Sequence, residues 1–73
     1  MEDLLGSLTP RETEVARLVG RGLGNKEIAA VLGSSTSTVR KQTMSIFSKL
    51  RIGGRVELAV MVRLAEAAGS PPR

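Results

Sequence analysis

The stretch 36-TSTVRKQTMSIFSKL-50 carries Val39, Thr43, Ile46, Phe47 and Leu50 on one side of a helix of period 3.6. Its opening is nevertheless crowded with hydroxyls, followed by an Arg-Lys pair. Serine and threonine are mediocre helix formers, because their side chains compete for backbone hydrogen bonds. Subtracting the apolar stripe leaves Ser37, Arg40, Lys41, Met44, Ser45 and Ser48, which join into one exposed face by i, i+3 and i+4 spacing. The helix therefore has one side to bury and another to present.

Working outward, Thr9-Pro10-Arg11-Glu12 is a helix start. Thr9 caps, Pro10 suits the first helical position, and Glu12 completes a capping box. Val15, Leu18 and Val19 follow on one face, which predicts a first helix over 10–21. Gly20 inside it costs about 1 kcal/mol relative to alanine by propensity. The glycines of 20-GRGLGNK-26 are not a phosphate loop, since no Ser or Thr follows Lys26 and a helix, not a strand, precedes them. They read as a helix end and a turn. Asn25 is then the expected cap of a short helix over 26–32, with Ile28, Ala29 and Leu32 apolar, and Gly33 closes it. Ser35 or Thr36 caps the third helix, and Gly53-Gly54 ends it. The segment 55-RVELAVMVRLAEAA-68 forms a fourth helix with apolar residues over much of its circumference. No strand alternation or internal repeat is present. The expected fold is all-α: a compact four-helix domain over 8–68, with a linker or flexible N-terminus over 1–7 and a flexible tail over 69–73.

Composition narrows the function. The 73 residues make one small domain, and without cysteine or histidine there is no disulfide, no thiolate metal site and no commonest general base. No catalytic set, metal site or cofactor site is expected. The single aromatic, Phe47, argues against a base-stacking surface for single strands. No apolar run spans a membrane and no signal peptide opens the chain, so a cytoplasmic location is expected. The net charge is +4, and its distribution matters more than its size. Between Ile28 and Val56 there are five basic residues (Arg40, Lys41, Lys49, Arg51, Arg55) and no acid. Such a segment fits a phosphate-binding face, although an ordinary solvated helix face has the same composition.

Two consecutive helices joined by a short turn containing Gly33 suggest a helix-turn-helix. Ala29 lets the second helix approach the third, Gly33 permits the turn, and Val39 packs beneath the junction. A plain helical hairpin also favours Ala and Gly there. On the exposed face, Arg40 and Lys41 suit guanine or phosphate, Ser37 and Ser45 can bond either, and Met44 can touch a thymine methyl.

The segments 8-LTPRETEV-15, 22-GLGNKEIA-29, 38-TVRKQ-42, 46-IFSKL-50 and 55-RVELAV-60 resemble, in order, the LuxR/NarL-type helix-turn-helix effector domain of bacterial transcription regulators. The resemblance covers about Leu8 to Leu64. It implies four helices, with the third in the major groove of double-stranded DNA and the fourth often pairing subunits. Lys26 resembles the family's phosphate-contacting lysine. Thr38 and Arg40 match the Thr and basic residue of its recognition helix, and Lys41 and Met44 fall at its variable base-reading positions. Lys49 matches a basic residue that usually meets the DNA backbone, and Glu12 a Glu that organises the scaffold. The expected DNA-binding set is thus Lys26, Ser35, Ser37, Thr38, Arg40, Lys41, Met44, Ser45 and Lys49. Gln42 stands where the family most often has His, and is expected to bond backbone or phosphate instead. Gly24 replaces a small polar residue or Pro, and Gly54 a capping Ser or Asp.

On the fourth helix, Val56, Ala59 and Val62 are expected to face the core, with Leu58 free to go either way. Val60, Met61 and Leu64 are then left as a homodimer surface, unless the helix is wedged whole into its own small core. A sigma-factor-like promoter-reading region, which would also bind RNA polymerase, and a helical module for an acidic partner protein are the alternatives.

Overall fold

The computed structural model describes residues 6–69. Residues 1–5 of the expected linker and 70–73 of the expected tail lie outside the described residues. Within them, four helices follow in chain order: α1 Pro10–Gly20, α2 Asn25–Leu32, α3 Thr36–Leu50 and α4 Arg55–Gly69. Their bounds fall within a residue of those read from the sequence. No helix among the described residues is long and apolar enough to cross a membrane.

The helix ends show why the chain divides there. At the start of α1, Thr9 Oγ1 accepts from the Glu12 N–H at 3.1 Å while Glu12 Oε1 accepts from the Thr9 N–H at 2.9 Å. Two of the orphan donors of the first turn are thereby satisfied. The ends of α1, α2 and α3 share another device. A residue in left-handed conformation follows each helix, and the next N–H returns to a carbonyl one turn back. Gly22 (φ 90°) precedes Leu23, whose N–H meets Leu18 O at 3.1 Å. Gly33 (φ 67°) precedes Ser34, bonded to Ala29 O at 2.9 Å. After α3 the left-handed residue is Arg51 (φ 56°), and Ile52 bonds Phe47 O at 3.0 Å. Glycine takes this conformation without a Cβ penalty. Arg51 is the one non-glycine among the described residues that adopts it.

One start differs from expectation. Asn25 does not cap α2 but lies inside its first turn; Gly24 is the cap, and Glu27 Oε1 accepts from its N–H at 2.7 Å. The Asn25 amide oxygen is taken instead by Arg55 Nη1 at 2.7 Å. At α4, Gly54 O receives the Leu58 N–H, and Glu57 Oε1 accepts from the Gly53 N–H at 2.8 Å. That carboxylate serves the Gly53 N–H and not the first-turn N–H groups that a hydroxyl at 54 would cap.

The core joins Leu8, Val15, Ala16, Val19, Ile28, Ala29, Val39, Ile46, Leu58 and Val62, with Phe47 and Leu50 half-buried at its edge. α1 packs on α4, and α3 packs on both α2 and α1. On α4 the buried stripe is Leu58, Val62 and Ala65, at i, i+4 and i+7. Val56 was expected inward with Val62, but it is exposed. It precedes Leu58 by two residues, about 200° around the helix, and the larger Leu58 takes the core. The outer face carries Val56, Val60 and Leu64 in one row, with Met61 half-buried at its side rather than outside. Gly20 also changes meaning. A Cβ there would lie 2.7 Å from Val62 Cγ1, so the glycine lets α1 and α4 cross closely.

Candidate nucleic-acid interface

α2 and α3 are joined by 33-GSS-35. Ala29 and Val39 are buried beneath the junction, which holds the two helices at close range. Ser35 caps α3, accepting from the Thr38 N–H at 3.1 Å. Its hydroxyl donates to Thr38 Oγ1 at 2.8 Å and lies 3.3 Å from Ser37 Oγ. These three expected DNA-binding residues form one exposed hydroxyl cluster at the helix start. The buried Thr43 returns its hydroxyl to Arg40 O at 2.8 Å, so it serves the helix itself.

Beyond the cluster the exposed row continues through Arg40, Lys41, Met44 and Ser48. Met44 is 63% exposed, a large apolar side chain left in water on a face otherwise polar. Arg40, Lys41 and, at the start of α2, Lys26 are exposed and form no salt bridge among the described residues. Their charge is available to an anion.

Two other members of the expected set are differently placed. Ser45 is half-buried, and its hydroxyl donates to Glu12 Oε2 at 2.8 Å. Lys49 Nζ donates to Glu12 Oε1 at 2.7 Å. Glu12 is thereby the hub of α1 and α3, meeting Thr9, Ser45 and Lys49 at once. Lys49 beside it, with Thr9 and Ser45 donating, holds its carboxyl down to about 2 from the ordinary 4.5, against the opposing effect of burial. Sequence reasoning found the capping box but not these partners, which stand 33 and 37 residues away.

Arg55, counted with the basic segment, is also diverted. Its guanidinium donates to Asn25 Oδ1 and to Leu23 O, both at 2.7 Å, and so pins the start of α4 to the turn before α2. The five basic residues of that segment therefore leave three, Arg40, Lys41 and Arg51, facing water without an internal ion pair among the described residues.

Gln42 is half-buried, and its Oε1 is shielded from solvent and meets no donor among the described residues. A buried acceptor left unpaired costs about 1–3 kcal/mol. Gln42→Met, of similar length, is expected to raise stability by about 1 kcal/mol in urea denaturation. An unchanged or lower midpoint would mean that the amide is satisfied in solution.

Residues 6–62 match the family model described as bacterial regulatory proteins, luxR family. A Mycobacterium bovis protein whose name describes it as an HTH-type transcriptional regulator is 46% identical over 66 residues, covering 90% of this chain and 7% of that protein. The nitrate/nitrite response regulator protein NarL of Escherichia coli is 40% identical over 58 residues, covering 80% of the chain and 27% of NarL. The two-component response regulator PprB of Pseudomonas aeruginosa is 39% identical over 57 residues, covering 78% and 21%. The chain thus spans less than a third of each of these relatives.

Proposed function

The chain belongs to the luxR family of bacterial regulatory proteins, and from that premise we propose that it binds double-stranded DNA sequence-specifically as the output domain of a transcription regulator. In this reading α3 lies in the major groove. Arg40, Lys41 and Met44 meet base edges, while Lys26 and the hydroxyl cluster at Ser35, Ser37 and Thr38 meet phosphates. The observation that carries it is the exposed row of α3, where unpaired cations and a solvent-exposed methionine share one face opposite a buried stripe.

The outer row of α4 supports pairing of two copies. Val56, Val60 and Leu64 are 78%, 50% and 59% exposed and stand in one row, an apolar strip that a second copy could cover. A two-fold pair would set two recognition helices on half-sites about one helical turn apart, or a multiple of that.

Gel-shift titrations over operator variants, selected from a random duplex library, test both parts. Lys41→Ala is expected to lower affinity for the selected site about tenfold while altering random duplex little. Lys26→Ala is expected to weaken all sequences alike and to lower the salt slope by about 0.9. Equal losses for the two variants on all sequences would defeat the division of labour. Affinity for a two-half-site duplex no better than for one half-site would remove the pairing.

A further inference from the structure

Three helices end with the same hydrogen-bonded device, and two of them place glycine at its left-handed position: Gly22 and Gly33. The third places Arg51 there, at φ 56° and ψ 48°. The motif does not ask for arginine. Its bonds, Arg51 N–H to Ser48 O and Ile52 N–H to Phe47 O, are main-chain bonds that glycine would make equally well. Nor does the side chain contribute to the fold, because it is exposed and makes no hydrogen bond or ion pair among the described residues. A non-glycine residue held in this conformation is strained, and such strain persists where something outside the local backbone favours it.

Arg51 also stands at the far end of the exposed row, just past the last residue of α3. Residues 37, 41, 44 and 48 succeed one another by alternating steps of four and three, and Arg51 follows beyond the helix end, its N–H bonded to Ser48 O and its side chain exposed. The 15 residues of α3 span about 22 Å at the helical rise, against a major groove about 12 Å wide. A helix of that length crossing the groove reaches the phosphates flanking it at both ends. At the first end stand Lys26 and the hydroxyl cluster. At the far end the basic candidates are Lys49 and Arg51, and Lys49 is already bonded to the buried Glu12 at 2.7 Å.

We infer that Arg51, and not Lys49, binds the DNA backbone phosphate beyond the far end of α3, and that Lys49 instead serves the fold through Glu12. This rests on the DNA-binding reading above. The ligand class is a backbone phosphodiester, recognised without regard to base.

The test uses the whole chain and a random-sequence duplex, with binding measured from about 50 to 200 mM salt. Wild type should show a linear fall of log K with log salt. Arg51→Gly should weaken binding about three- to tenfold and reduce the slope by about 0.9, while raising Tm by several degrees through relief of the left-handed strain. Arg51→Lys keeps the charge and should keep the slope. Lys49→Met, assayed where circular dichroism shows it folded, should lower Tm and leave the slope unchanged. An unaltered slope for Arg51→Gly, or a reduced slope for Lys49→Met, would overturn the assignment. A wild-type chain that binds no duplex at all would overturn the DNA-binding reading itself, which the variants are not needed to reveal.

Discussion

Replacing Glu12 with glutamine should lower the stability of the domain by about 2 kcal/mol at neutral pH, and alanine should cost about 3 kcal/mol. Glutamine keeps the shape of the side chain and one carbonyl oxygen, so the Thr9 N–H retains an acceptor. What it removes is the charge, and it presents an amide donor to a site built from donors: Thr9 N–H, Ser45 Oγ and Lys49 Nζ. A carboxyl held at about 2 in place of 4.5 corresponds to about 3 kcal/mol at most. The Lys49 side chain is 37% exposed, so water screens part of this and the smaller figure is expected. Alanine additionally loses the acceptor of the Thr9 N–H, the reciprocal half of the capping box, worth about 1 kcal/mol.

The sign of the pH dependence follows from the direction of the shift. Because the folded carboxyl lies below its unfolded value, its stabilisation is fully present above pH 4.5 and is lost as pH falls toward 2. Urea midpoints of wild type and Glu12→Gln should therefore converge through that window and stay apart above it. Two midpoints that fall in parallel would show that the ionised Glu12 is not what distinguishes them.

Much of the fold could be read before the structure because its signals are local. The capping box at Thr9 and Glu12, the glycines at 22 and 33 and the stripe through Val39 and Ile46 each act within a turn or two of chain. The errors arose where a distant partner decides. Asn25 has the chemistry of a cap, but Arg55, 30 residues away, claims its oxygen. Val56 and Leu58 are both apolar, and only packing against α1 selects which faces in. The same distinction runs through the candidate interface. The exposed row of Ser37, Arg40, Lys41 and Met44 follows from helical spacing alone. Ser45 and Lys49 satisfied that spacing too, and only the approach of α1 reveals the carboxylate that holds them. Of the three residues that bond the buried Glu12, the local sequence pattern supplies only Thr9.

Gly20→Val should destabilise the domain by about 3 kcal/mol and Gly20→Ala by about 1 kcal/mol, although propensity alone makes glycine the poorer helix residue by about 1 kcal/mol. The added Cβ would stand 2.7 Å from Val62 Cγ1 and 3.1 Å from Val62 Cβ. Val62 cannot swing aside, since a β-branched side chain in a helix has one strongly preferred χ1 and this one is fully buried. Relief must come from moving α4 off α1, which loosens the contact closing the core behind α3. Valine adds two further carbons to the same place, so the cost rises steeply from alanine. Val62→Ala supplies the control. Alone it should cost about 2 kcal/mol through the cavity it leaves. Combined with Gly20→Ala it returns a methyl to the crossing from the other side, so the pair should be at least about 1 kcal/mol more stable than the sum of the singles. Additive losses, or a Gly20→Ala variant more stable than wild type, would show that the helices part without strain and that the close crossing does not require the glycine.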